Sequence, residues 1–353
     1  MDRCGIFLMV LAAGLAGGPP AAAEVLQMKD GRRIEAPVRA RTERSVTLDW
    51  YGVPVTYEMD DIARVEPGTG SGPQMTAAAP AQPVITGPPT GRPGTRSAEA
   101  APPPAAAEAL VDELLQRAGL LAQLGQVPAL VEERLSQHRG LLAPERYDRL
   151  RALLREAYRP EALSRVIRAR FLQAFDPHRY GVVVGWLRAP HVEQAVAAEL
   201  QAGDPASWQE LTAFAGQLLQ APPSERRVAL IRRLNDATRA SEESRDVTLA
   251  VAEGVHRILE SVDPAGALSR PEAWRAEAEQ IRIQSAERLA HQTELFFLFA
   301  YRGIPDEALA RYVNFWASDL GAWFHQRSTD ALLESLAQTA SMAVQELTPP
   351  DGS

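Results

Sequence analysis

Hydrophobic and polar positions follow two different periods along this chain, and the change of period divides it. From Glu24 to Pro67 apolar residues alternate with polar ones. Val46, Leu48 and Trp50 alternate with Ser45, Thr47 and Asp49, and Val53, Val55 and Tyr57 repeat the pattern. A period of two predicts strands with one face buried. Asp30-Gly31 and Tyr51-Gly52 supply turns, and Pro37 predicts a break or bulge in the second strand, because proline cannot donate to a ladder. Met59-Asp60-Asp61 reads as a short turn before the last strand, Ile62 to Val65. Five short strands in about 44 residues predict a small SH3-like β-barrel over 24–67. From Glu108 to Leu347 the spacing becomes i, i+3, i+4. Leu110, Val111, Leu114, Leu115, Ala118 and Leu121 set the pattern, and Leu163, Val166, Ile167 and Phe171 repeat it. Breakers punctuate this region at Pro144, Pro160, Pro177, Pro190, Pro205, Pro222, Pro271 and Pro305. The fold class expected is therefore mainly α, with about nine or ten helices over 108–347.

Between the two regions, 68–107 is rich in Pro, Ala, Gly, Thr and Ser. Such a segment has too little apolar surface to offset the entropy of ordering, and it reads as a disordered linker. Residues 1–23 read as a signal peptide. Arg3 precedes an apolar run from Ile6 to Ala16, then Gly17 to Pro20 break the helix, and Ala21-Ala22-Ala23 offers small residues for cleavage. The run is shorter than the ~20 residues a bilayer requires. A periplasmic or secreted location follows as the expectation, with no transmembrane span after cleavage.

Charge and cysteine content narrow the choice of function. The net charge is −8, which argues against general binding of nucleic acid. Cys4 is the single cysteine and falls in the expected signal, so no disulfide or thiol chemistry is expected of the mature chain. Lys29 is the single lysine; all other fixed basic charge is arginine. One run is locally basic: Arg151, Arg155, Arg159, Arg165 and Arg168 predict a face suited to an acidic protein, an anionic polymer or a lipid headgroup. The bland alternative is ordinary i, i+4 pairing with Glu156 and Glu161.

No catalytic constellation is legible. None of the six histidines falls in a metal-binding spacing, and there is no nucleophile elbow, phosphate loop or dinucleotide fingerprint. His291 with Glu294, with His325 placed near them by the fold, is the closest approach to a polar cluster. Glu242-Glu243 and Asp306-Glu307 fit helix N-termini or solvated faces. No cofactor, no metal and no enzymatic activity are expected. The segment from Leu295 to Tyr301, followed by Tyr312, Phe315, Trp316, Trp323 and Phe324, is a dense aromatic block that predicts a central helix pair. Phe299, Tyr312, Trp316 and Trp323 are the residues that would line a groove for a partner helix or an apolar ligand.

Two stretches of the helical region look alike. Asp176-Pro177 leads to Tyr180, Val183, Trp186-Leu187 and Pro190, and Pro305-Asp306 leads at like spacing to Leu309, Tyr312, Phe315-Trp316 and Asp319. The second stretch, with Ser318-Asp319-Leu320-Gly321-Ala322-Trp323-Phe324, resembles domain-of-unknown-function family 2059, a bacterial family of helical envelope domains. That family's pattern is an acidic helix start, a Leu, a Tyr, a Phe, then Ser and Gly before an aromatic. Asp319-Leu320 stands where the family commonly has a proline. The resemblance implies an exported all-helical protein with no established enzymatic role. The function expected is an interaction or scaffold protein of the cell envelope. Its alternative is a periplasmic carrier or chaperone holding an apolar ligand or lipid; a hydrolase would need two facing carboxylates in a cleft.

Overall fold

In the computed structural model, residues 23–29, 33–50, 53–67, 104–263 and 271–347 are described. The expected signal peptide, the Asp30-Gly31 and Tyr51-Gly52 turns and the body of the expected linker lie outside these residues.

The alternating region forms strands β1 Ala23–Met28, β2 Arg33–Arg41, β3 Ser45–Trp50, β4 Val53–Glu58 and β5 Ile62–Pro67. All pairs are antiparallel, in the order β4-β3-β2-β1-β5, and a 3-10 turn at Met59–Asp61 links β4 to β5. This is the strand order of a small SH3-like barrel. β2 serves two ladders: Ile34 and Pro37 pair with β1, whereas Val38 to Arg41 pair with β3. The register shifts between Val38 and Ala40, one residue after Pro37. The bulge expected of that proline is therefore where the strand passes from one ladder to the other. Leu26, Met28, Ile34, Ala36, Val46, Leu48 and Ile62 close the small core.

The helical region begins with α1 Pro104–Arg117, so the helix takes in the last four positions of the expected linker. It continues through α2 Leu120–Gln123, α3 Val127–Ser136, α4 Pro144–Ala157, α5 Pro160–Gln173, α6 Pro177–Leu187, α7 Pro190–Gly203 and α8 Trp208–Gln220. Then follow α9 Glu225–Thr238, α10 Ala240–Val262, α11 Pro271–Ala300, α12 Asp306–Trp316 and α13 Asp319–Leu347. Proline opens α4, α5, α6 and α7, where its missing N–H costs nothing. Asp176 caps α6 by accepting from the Arg179 N–H at 3.0 Å, and Ser224 caps α9 in the same way at 3.2 Å.

The likeness of the two stretches is structural. α6 and α12 each have 11 residues, and the offset that maps Pro177 onto Asp306 also maps Pro190 at the start of α7 onto Asp319 at the start of α13. The buried positions coincide as well. Tyr180, Val183, Val184 and Leu187 of α6 correspond to Leu309, Tyr312, Val313 and Trp316 of α12. Val192, Ala195, Val196, Glu199 and Ala202 of α7 correspond to Gly321, Phe324, His325, Ser328 and Ala331 of α13. The contacts exchange in the manner of a two-fold axis: α5 packs on α13 while α11 packs on α7, and α6 meets α13 while α12 meets α7. Trp186 and Phe315, equivalent residues, stack on each other with centroids 3.5 Å apart and planes 12° from parallel. A two-fold relation requires this of residues at its axis. The helical region is thus two interlocked α-hairpin units, α5-α6-α7 and α11-α12-α13. The barrel touches this core through β4, which lies beside α8, and Tyr57 packs against both hydrophobic cores.

Candidate functional site

Where the two units interlock, polar groups are sealed inside. Glu199 of α7 is fully buried, and one of its carboxylate oxygens accepts from both the Tyr301 and Tyr312 hydroxyls, the latter at 2.8 Å. Burial pushes the Glu199 carboxyl up to about 8, against the two tyrosine hydrogen bonds that lower it. Burial likewise raises the Tyr301 hydroxyl well above its ordinary value. Glu199 keeps company with Val192, Ala195, Val196 and Ala202, at core-facing positions of α7. That spacing, an acid inside an apolar stripe, is the sequence signal that identifies it.

A second interior pair lies on α10 and α13. Glu243 is 4% exposed and accepts from Thr329 at 3.0 Å, and His325 Nε2 stands 3.9 Å from its other oxygen. Burial raises the Glu243 carboxyl well above its usual range and holds the His325 imidazole down to about 4, with Arg239 adding to the latter. The His325 imidazole is therefore neutral near pH 7, and the contact is not an ion pair. This corrects the reading of Glu243 as a solvated helix-terminal acid. It also changes the company of His325, whose acid is Glu243, whereas Glu294 bonds Arg232 of α9 at 3.1 Å. No group of three metal-binding side chains occurs among the described residues.

The aromatic residues expected to line a groove are mostly core. Phe299, Tyr312 and Trp316 are buried, and Tyr312 and Trp316 pack edge-on against each other at 6.1 Å. Trp186 stacks over Tyr312 at 5.5 Å, and Phe324 stacks on Trp316 at 6.0 Å. Trp323 is half-buried beneath the Arg179 guanidinium, 5.0 Å from its ring centre. These rings fill space against one another.

The five arginines of the expected basic face lie on the surface of α4, α5 and the joint between them, and three are held by acids. Arg151 pairs with Glu132, Arg159 with Glu156 at 3.0 Å, and Arg168 grips Asp112 with bonds of 2.5 and 2.7 Å. Arg155 is exposed, and Arg165 is exposed with its Nε set toward the Glu161 carbonyl at 3.3 Å. The face is more neutral than its composition suggests, because its acids come from α1 and α3 as well as from its own helices.

Beside Arg165 the surface opens into a groove of about 400 Å³. Ala162, Val166, Ala169 and Gln173 of α5 line one side, and Gln338 and Met342 of α13 the other. Arg165 and Arg170 flank it, and Arg170 pairs across to Glu334 of α13. Met342 is 47% exposed. The periodicity of α5 foretold the buried stripe of Leu163, Ile167 and Phe171 but not this second one, which needs the position of α13.

Compared with known proteins, the chain matches no family model, no curated protein and no solved structure. The resemblance of the C-terminal segment to family 2059 rests on its residues alone.

Proposed function

We propose that this chain is an exported, non-enzymatic interaction or scaffold protein of the bacterial cell envelope. The observation that carries this reading is the α5/α13 groove, where apolar side chains and guanidinium groups meet solvent together. That is recognition chemistry: an apolar strip supplies affinity and flanking arginines supply orientation. The strongly perturbed groups Glu199, Glu243 and His325 lie inside the protein, where they specify packing. The partner is another envelope protein, or an anionic polymer or lipid of the envelope. A carrier of apolar ligands is the weaker reading, since Phe299, Tyr312 and Trp316 are packed against neighbouring rings. The test is expression of the intact tagged chain in a bacterial host, with fractionation, N-terminal sequencing and identification of co-purifying proteins and lipids. Recovery from the periplasm or medium with a start at Glu24 and a stoichiometric envelope partner is the expected result. A cytoplasmic protein beginning at Met1 overturns it.

A further inference from the structure

The carboxyl of Glu199 is satisfied on one side alone. Its Oε1 accepts from the Tyr301 and Tyr312 hydroxyls, whereas its Oε2, also buried, has no hydrogen-bond partner. Helix α7 packs against α6, α8, α11 and α12. Among the described residues, the titratable groups that act on the carboxyl are those two tyrosines. The charged side chains of the surrounding helices are engaged elsewhere. On α6, Arg179 pairs with Asp176, Arg188 bonds Glu113, and His178 is exposed. Glu210 of α8 bonds Arg302, just past α11, and Glu294 of α11 bonds Arg232. On α12, Asp306 pairs with Arg227, Glu307 pairs with Arg226, and Arg311 acts on His191 at the start of α7. An ionised Glu199 would be a buried charge with no cation beside it and one bare oxygen, a costly arrangement in a protein interior. The proton is what lets the helices close over it.

We propose that Glu199 is a proton-operated latch on α12: with the proton in place α12 stays shut on α7, and loss of the proton releases α12 so that water reaches the carboxylate. The inference goes beyond the interaction reading above and does not depend on it. Two features put the movement at α12. Arg227 of α9 clasps the corner before α12, donating to the Tyr301 and Ile304 carbonyls at 3.0 and 2.6 Å and pairing with Asp306 at 2.7 Å. Tyr301 is thereby fixed, and α12 can swing about that end. Tyr312 rides on a helix of 11 residues whose Arg311 and Asn314 are in solvent. A short element with one solvent face can open without the rest of the fold. The pH range follows from the two states. Closed, the carboxyl is pushed up to about 8 by burial; released, it returns to its ordinary 4.5. Release therefore becomes about tenfold easier for each pH unit between about 5 and about 8 and levels off above, which is the linkage of one proton. The latch is tight in acid and loose at the alkaline end.

The test is amide hydrogen exchange of the intact protein, read by mass spectrometry across the range from about pH 5 to about pH 9 and corrected for the intrinsic rate at each pH. Each pH is repeated at low concentrations of guanidinium chloride, because a local opening exposes little surface and responds weakly to denaturant, whereas global unfolding responds strongly. Amides of α12 are expected to exchange through a denaturant-insensitive opening while those of α10 await global unfolding. Protection of α12 in the wild type, relative to Glu199→Gln, should fall about tenfold per pH unit up to about 8 and then level off. Tyr312→Phe removes a hydrogen bond that favours the ionised form, so in that variant the fall should continue to higher pH. The second variant also keeps the test decisive if Glu199→Gln fails to fold. Exchange of α12 with the same denaturant dependence as α10 overturns the proposal, since Glu199 is then ionised by global unfolding alone. So does an equal pH response in wild type and Glu199→Gln, or a pH window that Tyr312→Phe leaves unmoved.

Discussion

Two buried ionisable groups set opposing pH slopes on stability. Glu199 gives up its proton from about 4.5 in the unfolded chain but only near about 8 in the folded one. Its contribution is therefore full below 4.5 and is lost as the pH rises through about 8, at about 1.4 kcal/mol per unit. His325 acts in the other direction. It takes up a proton below 6.5 when unfolded but only near about 4 when folded, so its contribution is present above 6.5 and lost as the pH falls toward about 4. Glutamine at position 199 keeps the shape and the acceptor for Tyr301 and Tyr312 but has nothing to ionise. Denaturant midpoints of wild type and Glu199→Gln should diverge in favour of the variant as pH rises from 5 to 9. Parallel curves would show that another group carries the slope. The aromatic pair on α12 gives a second prediction at this scale. Phe315 and Trp316 are neighbours on one helix and point about 100° apart, and the sequence reading makes Phe315 the core residue and Trp316 a groove candidate. The structure favours Trp316, 3% exposed among Tyr312, Phe315 and Phe324, over the half-buried Phe315, whose main partner is Trp186. Trp316→Ala should cost about 3–5 kcal/mol and Phe315→Ala distinctly less. Thermal melts that reverse this order would mean that the Trp186 stack matters more than enclosure.

At the scale of elements, what the sequence discloses depends on how local the cause is. Prolines with helix-opening residues mark α4 to α7 and the start of α11 because they act within one turn, and the repeat of α6 in α12 is legible from aromatic spacing. The groove was not legible, because it depends on how far α13 continues past the point where α7 breaks. Glu243 was misread because a helix-terminal acid is usually solvated, and only the packing of α10 along α13 removes it from water. The hairpin between α12 and α13 shows the same dependence on three dimensions. Its sequence, Ala317-Ser318-Asp319-Leu320-Gly321, reads as a turn of small residues. In the structure Ser318 donates to the Phe315 carbonyl at 2.6 Å and accepts from the Gly321 N–H at 3.2 Å, which folds α13 tightly against the end of α12. A Cβ built on Gly321 would lie 2.1 Å from the Phe315 carbonyl oxygen and 2.8 Å from the Trp316 Cα. Both are backbone atoms, and no rotamer change relieves them. Gly321→Ala should therefore destabilise by at least the ~1–3 kcal/mol typical of overpacking, despite alanine's better helix propensity. An unchanged melting temperature would mean that the hairpin can open at little cost. The equivalent position in the first unit is Val192, so Val192→Gly should lack any comparable steric meaning and cost only the lost methyls and helix propensity.

At the scale of the whole molecule, composition divides the chain into a barrel, a Pro/Ala-rich stretch and a helical body, a division that implies independent modules. The structure adds a contact between them. β4 lies beside α8, and Tyr57, whose neighbours Thr56 and Glu58 are exposed, is drawn into both cores at once. A barrel with seven residues in its buried cluster has little surface to spare, so this second anchorage is a substantial part of what holds it. Helix α8 packs against α11 on one side and meets the barrel through β4 on another. Limited proteolysis of the wild type is expected to cut first between Gly68 and Pro103, where composition opposes ordering. The two fragments should then co-elute in gel filtration, because the Tyr57 contact does not need the chain to be continuous. Tyr57→Ser should let them separate while the helical fragment keeps its melting temperature. Wild-type fragments that separate at once would show that the barrel is tethered and not docked. A helical fragment that melts lower once separated would show that the barrel, through α8, supports the helical core.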